Sequence, residues 1–484
     1  MIASGIGAEA LRGFSYLVLT YFGVLTLSYL AITLLSAVQV RRYFRRRSEE
    51  ALVRAMRSPL TPPVTICISA YNEGETIVDS MRAMLNLQYP RFEVALTNDG
   101  STDATLERLI EAFGLRRVDQ PLRPGIATAP IRGVYRSDIH PNLVVIDKIN
   151  GGRSDGLNAA VNAATSPLIC CVDADSILEH DGLVAAVRPF VERPATVGSG
   201  GIIRVANGCR VDKGHVVQVA LPRNRLAMFQ TVEYFRAFLA ARTGWSAING
   251  LLIISGAFGV FRRRAVVEVG GFAPDSIGED FELCVRLHRK ARDERREYRL
   301  EFVPDPVCWT EVPTRLRQLG GQRNRWHRGL VDTLWRHRRM IGNPRYGVVG
   351  MLSLPFFVAF EFLGPFIELL GYVTVVVALA LGVVNVSFAL VFFAIAVLSG
   401  VFLSLAAVLL EDLAFHRFER PGELLQLVAY SIAENFGYRQ LMTGYRVRGF
   451  FAYLRGNKAW GEIRRVGFAQ VSVPQSEAPK RERT

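Results

Sequence analysis

Leu168-Ile-Cys-Cys-Val-Asp-Ala-Asp-Ser176 decides how this chain reads. An apolar run ends on two carboxylates one residue apart, Asp173 and Asp175. A run this short, bounded by Ser166-Pro167 and Ser176, predicts a buried strand. Open α/β sheets take ligands just beyond the carboxyl ends of their strands, which is where these aspartates would sit. Two carboxylates there can hold a hard divalent cation, with phosphate oxygens completing its shell. The plainer reading is a strand and a polar turn, with Asp175 capping the next helix. Taken alone, Asp-x-Asp favours the plainer one.

Working outward, Val64–Ser69, Phe92–Thr97 and Leu143–Asp147 are further short apolar runs. They alternate with helix-like segments at 75–87, 102–114, 154–164 and 181–191. Strands alternating with helices predict βαβ units and a mainly parallel sheet, here within an α/β domain over 62–312. Segment 115–142, rich in proline and glycine, reads as an inserted loop or hairpin.

The 484 residues are 50% hydrophobic and carry a net charge of +14. Such a balance suits nucleic acid, a membrane surface or an anionic substrate. The arginines flank apolar runs and no nucleic-acid-binding module is present, so membrane lipids are expected as partners and nucleic acid is not. None of the 6 cysteines has zinc spacing, which favours a reduced, cytosolic domain. The histidines form no paired ligand motif.

Phe14 to Val40 contains no charge; at roughly 1.5 Å per residue a helix there reaches about 40 Å, enough to cross a bilayer. It is too long for a secretory signal and lacks a basic start. Arg41-Arg-Tyr-Phe-Arg-Arg-Arg47 follows, which places that end in the cytoplasm and the N-terminus outside. Gln230–Ala241 has aromatics at helical spacing and reads as a core or an interfacial helix. Residues 313–346, basic and carrying Trp326 and Trp335, read as interfacial helices. Within 347–443, Gly347–Gly382 reads as a broken helix or a re-entrant piece leading into one span, and Val386–Leu410 as a cleaner span. Glu361 and Glu368 are functional candidates at membrane depth, or else pair with local arginines. Leu424–Thr443 is weakly apolar: if it crosses the bilayer the basic tail 444–484 lies outside, and if it lies on the inner face that tail is cytosolic or flexible; charge favours the second.

Ser69-Ala-Tyr-Asn-Glu73 closes the first strand and Thr97-Asn-Asp-Gly-Ser-Thr-Asp103 the second. Both put polar side chains where a nucleotide lies on such a sheet, with Tyr71, Glu73 and Asp99 as candidates; the alternative is a pair of capped turns. In Lys148-Ile-Asn-Gly-Gly-Arg-Ser-Asp-Gly-Leu-Asn158, glycines let the backbone approach a phosphate while Lys148 and Arg153 add charge. A surface loop is the alternative there. Ser255-Gly-Ala-Phe-Gly-Val-Phe-Arg262 suits a wall for a sugar. Glu279-Asp280 opens a helix whose N-terminus favours negative charge. A carboxylate there can act as a general base or simply cap. In Gln322-Arg-Asn-Arg-Trp326, Arg325 can fork onto a diphosphate and Trp326 offers a flat face to a sugar ring.

In this order the blocks resemble those of the processive family-2 glycosyltransferases, the membrane synthases of cellulose, hyaluronan, chitin and poly-N-acetylglucosamine. The matching pieces are TNDGSTD (97–103), KINGGRSDGLN (148–158), DAD (173–175), GED (278–280) and QRNRW (322–326). The resemblance implies a GT-A nucleotide-sugar-binding domain joined to transmembrane and interfacial helices. It implies a UDP-sugar donor and a polysaccharide or lipid-linked glycan acceptor. Asp99 would hold the uridine, Asp173 would lie against the nucleotide, and Asp175 would ligate Mg2+ or Mn2+. Asp280 would deprotonate the acceptor, and Arg325 and Trp326 would bind the diphosphate and the acceptor sugar. Tyr71, Glu73, Lys148 and Arg153 fall on the donor side; Glu279, Gln322 and Arg323 fall on the acceptor side.

Two departures stand out: Arg153 where the family has a second lysine, and Gly278 where its acidic motif usually opens with threonine. ENFGYRQ (434–440) and GNKAWGEIRR (456–465) are similar to bacterial synthase-like members, so the match supports the reaction more than the polymer. It implies inverting, β-forming chain elongation and export through a bacterial-type inner membrane, with the catalytic domain cytoplasmic and accessory export subunits as partners. Single-sugar transfer to a membrane lipid remains an alternative. So does a non-catalytic membrane transporter or scaffold that retains a nucleotide-binding domain.

Overall fold

Strands β1 (Val64–Ala70), β2 (Phe92–Asp99), β3 (Leu115–Val118), β4 (Ile131–Ser137), β5 (Leu143–Lys148) and β6 (Leu168–Asp173) form the first half of the protein's main sheet. They are followed by β7 (Ile177–Leu178), β8 (Thr196–Val205), the hairpin β9 (Arg210–Asp212) and β10 (His215–Gln218), then β11 (Phe258–Arg262) and β12 (Arg299–Thr310). This computed structural model describes residues 2–46, 58, 61–119, 121–122, 125–212, 214–380, 386–415 and 420–457. Most of the connector 48–61 and the tail from 458 on lie outside the described residues.

All strands but the hairpin join one 10-stranded sheet in the order β3-β4-β5-β2-β1-β6-β11-β8-β12-β7. Strands β5, β2, β1 and β6 run parallel. Both faces of this parallel core are covered, so β1, β5 and β6 are buried almost throughout. That is why they read as unbroken apolar runs rather than as alternating ones. Segment 115–142 supplies the antiparallel pair β3–β4, and β4 adds to β5 in the same sense. The second half departs from simple winding. β11 lies antiparallel between β6 and β8, and β8 pairs parallel with β12. The result is a mixed, GT-A-like sheet with a parallel core.

Helices Ile77–Leu85, Thr105–Phe113, Arg153–Ala163 and Gly182–Glu192 cover the sheet. Arg153–Ala163 packs close to β1, because Gly156 lets its backbone approach: a Cβ there would lie 2.2 Å from Ser69 Oγ. Residues 225–247 form a continuous helical path with a π-helical middle, Phe235–Arg242. Within Gln230–Ala241, Phe235, Phe238 and Leu239 are buried, and Phe235 packs against Ala407 and Val408 of a candidate membrane helix. This path docks on the N-terminal helix Ile2–Arg46: Ser36 Oγ donates to the Leu239 carbonyl at 2.8 Å. Gly244 there faces Ile32 so closely that a Cβ would lie 2.4 Å from its carbonyl oxygen.

Among the described residues, 3 helical stretches are long and apolar enough to cross a membrane: Tyr16–Arg45, Val349–Val377 and Val397–Phe415. The second is broken, with π-helical turns at Val349–Ser353 and Phe357–Phe362 before the helix Gly364–Ala380. Residues 424–443 are divided between helices Pro421–Ala433 and Tyr438–Leu454 by a turn at Gly437, whose φ is 97°.

Two helices bring the acidic and basic motifs together, Glu279–Asp293 and Leu316–Arg336. They touch backbone to backbone. A Cβ on Gly278 would lie 3.1 Å from Gly329 Cα, and one on Gly329 would lie 3.0 Å from Gly278 Cα. Gly278, the departure from threonine, therefore permits close packing. Gly329→Ala should force these helices apart and destabilise the fold by about 1–3 kcal/mol, measured by denaturant unfolding in detergent.

Candidate active site

A cavity of about 1630 Å³ opens over the strand ends and continues between the candidate membrane helices. The turn after β1 contributes Tyr71 and Glu73 to its wall, β2 contributes Asp99, and β6 with the residues after it contributes Asp173 and Asp175. Arg153 enters from the glycine loop, and Glu279 and Asp280 from the start of the acidic helix. Gln322, Arg323, Arg325 and Trp326 line it from the helix Leu316–Arg336. Of the residues singled out from the sequence, Lys148 alone is not on this wall.

Lys148 points inward and is fully buried. Its ammonium donates to Asp99 Oδ1 at 2.6 Å and to the Ile149 carbonyl at 2.7 Å, and it pairs with Asp155. Gly151 and Gly152 turn their N–H groups onto the same Asp99 carboxylate at 3.0 and 2.8 Å. In this structure the lysine and the two glycine N–H groups hold Asp99, while Gly152 also lines the cavity. A buried carboxylate needs such partners. Asp155 is held in turn by the Ala129 N–H at 3.1 Å.

Arg153 works differently. Its Nε donates to Asp173 Oδ1 at 2.9 Å, Nη2 to the Gly256 carbonyl at 2.7 Å, and Nη1 to Glu279. Burial alone would weaken its hold on a proton, but the neighbouring charges of Asp173 and Glu279 outweigh this and strengthen it. Burial pushes the Glu279 carboxyl up, opposed by Arg153 and reinforced by Asp280. Arg153 and Glu279 thus brace the site from within its wall.

Asp280 is aimed by two backbone donors, the Gly256 N–H at 3.0 Å and the Phe281 N–H at 2.8 Å. Gly256 therefore orients one carboxylate and anchors Arg153, a role the sequence did not signal beyond a small residue in a strand-entry segment. Arg242, also missed, lines the same cavity with its guanidinium 3.9 Å from the centre of the Phe238 ring. Burial lowers its pKa to about 10, while the Asp280 charge acts to raise it. Only its position one helical stretch before the 255–262 segment marks it in the sequence.

Arg323 Nη2 donates to Glu233 at 2.8 Å and its guanidinium stacks 4.2 Å from the centre of the Trp326 ring. Trp326 stays 44% exposed, so one aromatic surface is available to a ligand. Arg325 is half-buried beside Glu279; desolvation weakens its hold on a proton and the Glu279 charge opposes this. Towards the membrane helices, Glu361 accepts from Tyr29 at 2.6 Å and pairs with Arg446. Glu368 accepts from Thr443 at 2.9 Å and lies 3.5 Å from Arg439. Both carboxylates thus meet arginines, and both line the cavity.

Among the described residues, no three His, Cys, Asp or Glu side chains form a metal-holding group by themselves. The carboxylates of Asp173 and Asp175 nevertheless fit a cation that brings most of its shell with it. Mg2+ typically keeps several waters and substrate phosphates and needs only one or two protein carboxylates.

Lys148→Met should leave Asp99 and Asp155 buried without their counter-charge. The expected loss is about 3–5 kcal/mol of stability, read from chemical denaturation of the full chain in detergent.

Residues 168–409 match the family described as "Glycosyl transferase family group 2", and residues 65–270 match "Glycosyl transferase family 2". The chain is 27% identical over 274 residues to poly-beta-1,6-N-acetyl-D-glucosamine synthase from Staphylococcus aureus, and 26% over 273 residues to that from Staphylococcus epidermidis. Each match covers 56% of this chain and 56% of the relative, so the chain spans about half the length of the curated relatives it matches. A solved mannosyltransferase from Pyrobaculum calidifontis, in complex with GDP-Man and Mn2+, is similar with a TM-score of 0.52 at 17% identity. It covers 87% of this chain and 99% of that one, a likeness in fold. The first family match runs from the Asp-x-Asp strand through the Gln322–Trp326 helix and into the last candidate membrane helix, half of the 484 residues. The chain therefore belongs to glycosyltransferase family 2.

Proposed function

We propose that this protein is a membrane-embedded inverting glycosyltransferase that elongates a β-linked polysaccharide from a UDP-sugar and passes it outward. The observation that carries this reading is one cavity lined by Asp99, Asp175, Asp280 and Trp326 that continues between candidate membrane helices to Glu361 and Arg446. The curated relatives are named for a poly-N-acetylglucosamine product, which makes UDP-N-acetylglucosamine the first donor to test.

In this reading Asp99 accepts from the uridine while Lys148 and the glycine loop keep its carboxylate in place. Arg325 lies against the diphosphate and balances charge growing on the leaving UDP. Asp175, with Asp173 beside it, would hold Mg2+ or Mn2+, which supplies further neutralisation of the diphosphate when bound. Trp326 supports the acceptor sugar ring, with Gln322 and Arg323 at its edge. Asp280, aimed by the N–H groups of Gly256 and Phe281, takes the proton from the attacking hydroxyl. The adjacent carboxylate, Glu279, is tied to Arg153 and so does not serve as a nucleophile. That favours single displacement, with inversion from an α-linked donor to a β-linked product. The arginines at 41–46 favour a cytoplasmic catalytic domain.

Single-sugar transfer to a membrane lipid is the second reading, because apolar residues such as Leu25 and Phe360 also line the cavity. Product length from radiolabelled UDP-sugars and purified protein in lipid decides between them: long chains support polymerisation and one added residue supports lipid glycosylation. Asp280→Asn should lower transfer by about 10²–10⁴-fold while UDP affinity, measured by calorimetry, stays unchanged. Near-normal turnover in that variant would remove Asp280 from the role of base.

A further inference from the structure

A second cavity, of about 400 Å³, shares no lining residue with the candidate active site. It lies at the far ends of the two helices that carry the acidic and basic motifs. Arg289 and Asp293 line it from the last turns of Glu279–Asp293, and Arg336 from the end of Leu316–Arg336. Arg339, Arg345 and Tyr346 line it from the segment that follows. Four arginines thus face one carboxylate. Arg336 is already engaged, donating from Nε to Asp332 at 2.9 Å and from Nη1 to Asp275 at 2.8 Å. Arg345 lies 3.0 Å and Arg289 3.7 Å from Asp293, which also accepts from the Tyr346 hydroxyl at 3.2 Å. Arg289, Arg339 and Arg345 are therefore left with a single lining carboxylate. They face solvent: the side chains of Arg289 and Arg345 are 50% and 62% exposed, and Arg339 is exposed as well. Ion pairs this exposed are weak, so an arriving anion competes with Asp293 for the arginines.

Arginines also gather at helix ends for a plainer reason, because the last carbonyls favour cations. Arg338 does that work: it donates to the Trp335 carbonyl at 3.0 Å, lies over the Trp335 ring at 4.9 Å, and is not part of the lining. The pocket arginines have a different setting. Tyr346 stands just before Val349, where the second candidate membrane stretch begins. Trp335 is 63% exposed, and Met351 and Leu352 at the start of the stretch are 47% and 55% exposed. Exposed tryptophan is favoured at the boundary between lipid and water. A basic pocket at the end of a membrane stretch suits an anionic lipid headgroup. Guanidinium groups fork onto phosphate oxygens, and Asp293 and Tyr346 can bond to headgroup hydroxyls. A choline headgroup carries its own cation, which the surrounding arginines repel.

We propose that this pocket is a headgroup site for an anionic phospholipid of the phosphatidylglycerol class, drawn from the leaflet that faces the catalytic domain. The phosphodiester lies among Arg289, Arg339 and Arg345, and the acyl chains run along the stretch that starts at Val349. The bound headgroup ties the acidic helix to the basic helix and to the membrane stretch, at the end of the acidic helix opposite Asp280. This binding does not depend on the transfer reaction proposed above.

The test measures binding to the full chain in a non-ionic detergent, read by native mass spectrometry. The protein is titrated with dioctanoyl phosphatidylglycerol, with dioctanoyl phosphatidylcholine, and separately with glycerol phosphate and inorganic phosphate. Phosphatidylglycerol should bind the wild type most tightly, and added salt should weaken it. The double variant Arg339→Gln/Arg345→Gln should bind phosphatidylglycerol about tenfold more weakly or worse. Both positions are exposed, so its melting temperature without added lipid should match that of the wild type. Arg289→Gln, on the opposite wall, should lose about fivefold by itself and carries the test if the double variant does not fold. Arg41→Gln/Arg42→Gln removes the same charge at the end of the first apolar helix and should leave the affinity unchanged. Equal binding of the two lipids overturns the assignment, as does unchanged binding in the pocket variants. An equal loss in the Arg41/Arg42 control reduces the effect to general surface charge and overturns it too. Free phosphate or glycerol phosphate binding as tightly as the lipid makes the pocket a small-anion site and not a headgroup site.

Discussion

Arg153 reaches from the glycine loop to Asp173 at the end of β6, to Glu279 at the start of the acidic helix and to the carbonyl of Gly256. One guanidinium thereby fixes segments that are far apart in sequence. The arrangement suits arginine, whose planar fork presents several donors in set directions. Breaking a buried pair of this kind leaves an uncompensated charge, a far larger penalty than an exposed pair carries. Because Gly256 also aims Asp280, the loop, the strand end and the proposed base share one scaffold. The lysine of related motifs has a single point charge and could not hold all three acceptors in the same way.

A second buried cation works beneath the first. Lys148 neutralises Asp99 and Asp155, and the glycine loop closes over Asp99 with two N–H groups. The sheet thus presents two layers of paired charge: an inner one around Asp99 and an outer one around Asp173 and Glu279. The same solution recurs deeper in the chain, where Glu361 and Glu368 meet arginines of the helix Tyr438–Leu454. Carboxylates among apolar helices are tolerable when paired, and pairing across elements also fixes how those elements sit against one another.

The first half of the sheet was legible in the sequence because its strands are buried on both faces and contain few breakers. Leu168–Asp173 is a strand over the very residues its apolar run marks, and β1, β2 and β5 extend theirs by one or two residues. The second half was hidden by its composition. β8 contains Gly198, Gly200 and Gly201, poor strand formers that are present because neighbours press on them: a Cβ on Gly201 would lie 2.5 Å from Val307. β12 accommodates Pro306 through register shifts on both sides of it. Tertiary pairing, not local preference, makes these strands. The acidic and basic motifs announced a shared site. What they did not announce was direction: Lys148 faces inward, and the glycine N–H groups turn towards a protein carboxylate.

The strand order also governs how the chain must be made. β11, residues 258–262, lies between β6 and β8 in the finished sheet. In a chain synthesised from its N-terminus, β6 emerges well before the strand that covers its outer edge. During that interval β1, β2, β5 and β6 can already pair, while a row of backbone donors and acceptors on β6 stays open, a template for pairing with another nascent chain. The first apolar helix has by then emerged, so this unfinished half-sheet would be tethered beside a bilayer and beside its own kind. Arrival of 258–262 ends the exposure, which makes that short segment the latch of biosynthesis, joined directly to the cavity-lining residues 255–257.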